Sequence, residues 1–198
     1  PKTLINAYKC IMLHPSKLPK FKGGSPLQNQ IIRNIKKSHL TLFRMNEKID
    51  SGNIIASKKI SLLGNIQEIF DRMTKIGILL TKKMLEKKYK DKKQIKSNHK
   101  IYKRLLPKDS EITIKDLQNK NSNYLYNKIR MLSDPYPNVF IKLKDGKRLI
   151  IKEAKLKNLG TLAKAPLAHI VFSNRIFKIN DIASLWYFLR ILKNFKSK

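Results

Sequence analysis

The sequence predicts an α/β fold, and three observations carry that expectation. Short strand-like runs recur at 10–14, 39–45 and 53–60. A long helical period follows over 65–89, and a second helix then leads into a hairpin over 122–154. Strands and helices thus alternate early in the chain, while later segments are richer in strand.

Residues 10–14, CIMLH, form an apolar run that reads as a buried strand. Pro15 and Pro19 break regular structure, and 20–26, KFKGGSP, reads as a loop. Ser25 as N-cap and Pro26 as first helical residue start a helix through Leu27-Gln28-Asn29-Gln30-Ile31-Ile32. Residues 39–45, HLTLFRM, alternate as a strand, 46–52 turns the chain, and Asn53 to Ile60 forms a second strand. Over 65–89, Ile66, Ile69, Phe70, Met73, Ile76, Leu80 and Met84 recur at spacings of three and four. Asn65 caps this helix, with Glu68 in capping-box position. The charge-dense stretch 86–100 reads as a frayed end and a solvated loop.

Tyr124, Leu125, Ile129 and Leu132 make one apolar stripe of a helix over 122–132, stopped by Ser133-Asp134-Pro135-Tyr136-Pro137. Residues 139–143 and Arg148 to Ala154 pair as a hairpin around Asp145-Gly146. The tail, 170–198, carries HIVF and RIFKI strand pieces, then an apolar helix around Ile182 to Phe195.

Among 198 residues, 44 are Lys or Arg and 13 Asp or Glu, a formal net charge of +31. Such a charge suggests a polyanion partner. The excess lies in lysine, however, with 36 Lys against eight Arg, alongside 26 Ile, 16 Asn and only seven Ala. Lys, Ile and Asn share A/T-rich codons, so one genomic bias accounts for all three. Selection for phosphate grip would raise Arg as well, because its planar fork binds phosphate bidentately. No uncharged apolar run reaches the ~18 residues of a membrane-spanning helix, so no membrane partner is expected. The single Cys10 excludes an internal disulfide framework and a cysteine-rich zinc site. No metal is expected. With no signal-peptide pattern at the N-terminus, a cytoplasmic location is expected.

The chemistry concentrates in two segments. In His14-Pro15-Ser16-Lys17-Leu18-Pro19-Lys20-Phe21-Lys22-Gly23-Gly24-Ser25-Pro26 a histidine ends a strand and a proline-framed loop follows. This places an imidazole at the carboxyl edge of what reads as a parallel sheet, where open α/β sheets bind ligands. In Met45-Asn46-Glu47-Lys48-Ile49-Asp50-Ser51-Gly52 an acid stands in a glycine-bearing turn between two strands. Taken singly, such a His is commonly bonded to a backbone carbonyl and such an Asp is a turn-former.

Together these segments resemble the 10-formyltetrahydrofolate-dependent formyltransferase family, with its HPSxLPxxxGxxP-like loop and downstream xxDxG turn. The likeness continues in Lys103-Arg104-Leu105-Leu106-Pro107-Lys108-Asp109-Ser110-Glu111-Ile112, similar to the family's R-x-P-E-D-x-x-I stretch. It extends through 127–140, similar to the family's helix and PxPxAF junction, and covers about residues 10–155 in order.

The resemblance implies 10-formyltetrahydrofolate as formyl donor, and His14 and Asp50 as catalytic residues. His14 would act as hydrogen-bond donor or base, with Asp50 orienting the ring. It implies that Ser16, Leu18, Pro19, Gly23, Gly24, Ser25 and Gln28 form the substrate and cofactor loop. For Ser25 and Gln28 the plainer roles are N-cap and helix surface. Where the family has an oxyanion-binding Asn two residues before its His, this chain has Met12, which brings no donor.

It further implies residues 1-118 as the C-terminal part of a Rossmann-like catalytic domain, and 119-198 as a small β-rich region of helix and hairpin. The chain starts near the motif and without Met, so an N-terminally truncated fragment is expected. The acceptor would be the amine of a nucleotide-linked amino sugar or of methionyl initiator tRNA. The amino sugar is preferred, because one hairpin and a terminal helix are too little for the five-stranded barrel of the tRNA enzyme. A homodimer is compatible with either. A non-catalytic polyanion-binding protein is the competing class.

Overall fold

The computed structural model describes residues 2–86, 89–95, 98–143, 146–157, 167–172 and 175–179. The chain divides into two units, Pro1–Leu105 and Leu106–Lys198. The expected boundary at 118 instead falls inside a short helix of the second unit.

In the first unit, helix α1 (Lys2–Ala7) precedes β1 (Ile11–His14) and β2 (Lys22–Gly23). Helix α2 (Pro26–Ile31), β3 (Lys37–Arg44), β4 (Ile54–Ser61), α3 (Ile66–Leu85) and β5 (Ile101–Tyr102) follow. The expected strands lie in one sheet, in the order β1-β3-β4. The sequence reading missed α1 altogether; none of its six residues is buried, so no apolar period marks it.

Two expectations are corrected here. The sheet is antiparallel, not parallel, with Leu13 opposite Leu42 and His14 opposite Thr41. The 45–53 link is shorter than the dozen or so residues a parallel crossover needs, so β3 and β4 can only fold back as a hairpin. His14 nevertheless remains the last residue of β1. The 10–14 run is also not fully buried: among the described residues β1 pairs with β3 alone, and Met12 and Leu13 are 37% and 38% exposed.

Helix α3 packs on β3 and β4. Asn65 accepts from the Glu68 amide at 2.8 Å, and the Glu68 carboxylate accepts from the Asn65 amide at 3.2 Å, so the expected capping box is formed. Leu80 buries against Leu42, Ile55 and Ala56. A Cβ on Gly77 would press on Leu13, so the missing side chain lets helix and strand approach. An open apolar groove of about 770 Å³ runs beside this packing, lined by Leu13, Met73, Ile78 and Leu85 among others. Side chains alternate along β1, so His14 points to the opposite face.

In the second unit a 3₁₀ turn (Pro107–Ser110) leads to α4 (Ile114–Asn119) and α5 (Ser122–Met131). Five strands follow: β6 (Val139–Lys142), β7 (Arg148–Ile151), β8 (Glu153–Lys157), β9 (Leu167–Phe172) and β10 (Arg175–Ile179). The expected hairpin is β6–β7, with Gly146 at φ 83° in its turn; Lys144 and Asp145 lie outside the described residues. HIVF and RIFKI pair antiparallel, and β8 adds to β9. The region is therefore richer in strand than one hairpin. The helix expected around 182–195 lies outside the described residues.

Candidate active site

His14 and Asp50 come together although 36 positions separate them in the sequence (50 − 14). The β1–β3 ladder sets the imidazole beside Thr41, and the turn closing β3 onto β4 returns Asp50 toward it. Asp50 Oδ2 lies 3.6 Å from His14 Nδ1, with side-chain exposures of 11% and 4%. This separation exceeds a direct hydrogen bond and leaves the contact electrostatic or water-bridged. The carboxylate accepts the Gly23 amide at 2.7 Å. Asp50 itself has φ 46°, a left-handed conformation that Asp tolerates better than most residues.

The turn is held from a distance. Gln94 Nε2 donates to the carbonyls of Asp50 at 3.0 Å and Gly52 at 2.7 Å. Ile54 and Lys92 exchange both backbone hydrogen bonds at 2.8 Å. The 86–100 stretch is therefore not simply a solvated loop: exposed lysines alternate with residues that pin the turn.

The other imidazole nitrogen is engaged. Nε2 lies 2.9 Å from the Phe21 carbonyl, which can only accept, so Nε2 carries the proton. In the neutral ring, Nδ1 is then a lone pair facing Asp50. Burial holds the His14 pKa below its usual value, against the opposing pulls of Asp50 and of the Phe21 carbonyl; Lys22 adds to the lowering. The arrangement can take a proton at Nδ1 and stabilise the resulting cation through Asp50.

The loop residues divide by role. Ser16 is fully buried; its Oγ donates to the Lys20 carbonyl and its carbonyl accepts Thr41 Oγ1, both at 2.6 Å. Leu18 is a core residue, joined to Pro19 by a cis peptide bond. Gly23 and Gly24 lie against β5, where a Cβ on either would collide with the backbone of Tyr102 or Arg104. Ser25 does not cap α2 with its side chain: it stands at φ 47° and its Oγ accepts the Leu105 amide at 3.0 Å. Gln28 is buried at 4% exposure, not on the helix surface. Thus Ser16 and Gly23 adjoin the His14–Asp50 pair, whereas Leu18 and Ser25 brace the loop and Gln28 is buried in α2.

The sequence reading missed Gln30, Asn29, Phe21 and Tyr102. Gln30 Nε2 donates to the carbonyls of Pro15 at 2.6 Å and Pro26 at 2.9 Å, and its Oε1 accepts from Ser38 Oγ. Asn29 Nδ2 donates to the Gly24 and Ser25 carbonyls, both at 3.1 Å. Three adjacent amides in a six-residue helix were the available signal, since one helix cannot turn all three to solvent while Leu27 and Ile31 bury. Among the described residues, no cluster of three or more His, Cys, Asp or Glu could hold a metal ion, and no helix is long and apolar enough to cross a membrane.

A family model described as formyl transferase matches residues 1–77. A methionyl-tRNA formyltransferase of Orientia tsutsugamushi is 36% identical over 89 residues, covering 43% of this chain and 29% of that sequence. A solved methionyl-tRNA formyltransferase from Clostridium thermocellum is 32% identical, with TM-score 0.71, covering 87% of this chain and 73% of that one. A 4-N formyltransferase from Francisella tularensis shares the fold at TM-score 0.60 and 20% identity, covering 80% of this chain and 67% of that one. The chain spans about half the length, or less, of the curated relatives it matches.

Proposed function

We propose, from the premise that this chain belongs to the formyltransferase family, that it carries the proton-handling centre of an N-formyltransferase. The formyl donor is 10-formyltetrahydrofolate and the acceptor a primary amine. The observation that carries the reading is the buried neutral imidazole whose unengaged Nδ1 faces Asp50 at 3.6 Å.

The donor supplies the formyl carbon; attack by the amine builds negative charge on the formyl oxygen and leaves an acidic proton on nitrogen. His14 takes that proton at Nδ1, directly or through one water. As the tetrahedral intermediate collapses, the bond from the formyl carbon to N10 of the donor breaks and the proton passes from His14 to that nitrogen, releasing tetrahydrofolate and the formylated amine. Asp50 lowers the cost of the imidazolium, and the Gly23 amide keeps the carboxylate aimed at the ring. With Nε2 engaged by Phe21, His14 is better suited to act as base than as first donor to the oxyanion. Met12 brings no donor either, so the proposal rests on proton transfer.

For the acceptor, the reading is the aminoacyl end of methionyl initiator tRNA. Its support is the likeness to the Clostridium enzyme at 32% identity. The amino-sugar preference rested on too few strands for a five-stranded barrel. Five strands, β6 to β10, are described in the second unit, in a two-stranded and a three-stranded sheet, so the strand count by itself no longer weighs against the tRNA acceptor. The +31 charge would favour a polyanionic acceptor at low salt. The test supplies the full-length protein with 10-formyltetrahydrofolate and either methionyl initiator tRNA or a nucleotide-linked amino sugar. Formylation of the tRNA, abolished by His14→Gln and strongly reduced by Asp50→Asn, is the expected result. Turnover of the sugar alone would overturn the acceptor, and full turnover by His14→Gln would overturn the site.

A further inference from the structure

We propose that Tyr102 is a positioning residue for His14, acting through Phe21 to fix which imidazole nitrogen is free. The inference rests on the formyl-transfer reading for its kinetic consequence but not for its structural one.

Phe21 stands at φ 56°, an outlier for a bulky residue. That conformation presents the carbonyl that receives the His14 Nε2–H at 2.9 Å. Nothing in the local sequence favours it, so the surroundings must impose it. The Phe21 ring stacks on Tyr102 with centroids 5.1 Å apart and planes at 15°. The Tyr102 carbonyl accepts the Gly24 amide at 2.8 Å, and β2 pairs with β5 in the register Gly23 to Tyr102. Tyr102 therefore holds the loop on both sides of β2, by its ring at Phe21 and by its backbone at Gly24.

The Tyr102 ring is itself pinned. The Arg33 guanidinium sits 4.9 Å from its centroid, and Arg33 Nη1 donates to the Asn29 carbonyl at 2.7 Å and to Asn29 Oδ1 at 3.0 Å. Between the two anchors, Gly23 N–H holds the Asp50 carboxylate. Residues 21–23 thus fix both members of the pair: Phe21 engages Nε2 of the ring, and Gly23 aims the acid at Nδ1. Loss of the stack frees the Phe21 carbonyl to rotate away. Nε2 then has no fixed acceptor, and the proton can move to Nδ1, the nitrogen the reaction needs empty.

The experiment is ¹⁵N NMR of histidine-labelled full-length protein, with the His14 signals assigned by their loss in His14→Gln. Above neutral pH the wild type should show a single tautomer protonated on Nε2. Tyr102→Leu should give mixed tautomers and a His14 titration shifted further below the ordinary histidine value, because the Phe21 carbonyl that raises it is lost, while Tyr102→Phe keeps the wild-type pattern. In the formylation assay, Tyr102→Leu should lower kcat about tenfold or more with a smaller change in acceptor KM, and Tyr102→Phe should restore it. Should Tyr102→Leu fail to fold, Phe21→Leu removes the stack while keeping bulk and the β2–β5 backbone pairing, and should give the same mixed tautomers. A variant that is folded but less stable, with the His14 tautomer and titration unchanged, would overturn the proposal. A wild type without formyl transfer would overturn the reaction, and the ring signals would still decide the role of Tyr102.

Discussion

Each unit of this chain buries a basic nitrogen beside a carboxylate, and the two pairs are built differently. In the second unit Lys128 Nζ donates to the Glu111 carbonyl at 2.5 Å and lies 3.4 Å from Asp116 Oδ2. Asp116 also accepts the Thr113 amide at 3.2 Å, closing a capping box at the start of α4. Burial would raise the Asp116 pKa, but the Thr113 amide and the Lys128 ammonium outweigh it and the net shift is downward. Both charged groups are hydrogen-bonded, the ammonium to the Glu111 carbonyl and to Asp116 Oδ2, and that oxygen also to the Thr113 amide. In the first unit the His14 pKa is lowered, the ring is neutral near pH 7, and among the described residues none donates a hydrogen bond to Nδ1. Comparable burial gives a lock in one place and a spare lone pair in the other. On the proposed function, the unused bonding capacity, more than the perturbed titration, is what distinguishes His14 from Lys128.

The comparison can be broken most sharply at His14. Replacing it with Gln should lower kcat/KM for formyl transfer by about 10²–10⁴ while changing stability little, as urea unfolding would show. The mirror experiment is Asp116→Ala, which strands the Lys128 ammonium. It should cost about 3 kcal/mol in urea unfolding and leave turnover per folded molecule near wild type. If Asp116→Ala cost nothing, the lock reading of that pair would fail.

The pH dependence sharpens the same contrast. Burial lowers the folded His14 pKa from its ordinary 6.5, so the unfolded chain takes up the proton first as pH falls. Stability is therefore full above about 6.5, declines as pH drops toward the folded value, and levels off below it. One such site contributes a slope of at most about 1.4 kcal/mol per pH unit. His39, likewise lowered by burial and by the nearby Lys17 and Lys59, adds to the decline. Denaturant midpoints between pH 7.5 and 4.5 should fall more in wild type than in His14→Gln. The smallest effect is expected at Asn65→Ala, where losing the α3 cap should cost about 1 kcal/mol and leave activity untouched.

What was legible in the sequence was local. The Asn65–Glu68 box, the period of α3, the β3–β4 and β6–β7 hairpins and the His14 and Asp50 segments all announce themselves within a few residues. What was not legible depends on partners far along the chain. The β2–β5 pair has two residues on each strand and joins Gly23 to Tyr102. No pattern in either segment predicts it. Gln28 looks like helix surface yet is buried, and nothing marks Gln30 until the Pro15 and Pro26 carbonyls are in place. The exposure of Leu13 and the antiparallel ladder likewise depend on which neighbours β1 finds, not on CIMLH itself.

The distance spanned by that β2–β5 pair also orders events in time. The β3–β4 hairpin closes a short loop and can form early, whereas Gly23 must wait for a strand about 80 residues downstream. The sheet can thus be assembled while the Phe21 carbonyl still swings free and His14 is not yet held. In a refolding experiment, circular dichroism should recover before formyl-transfer competence. On the proposed function, the expected outcome is an interval in which the backbone signal is native and formyl transfer is still absent, ended by closure of the β2–β5 pair.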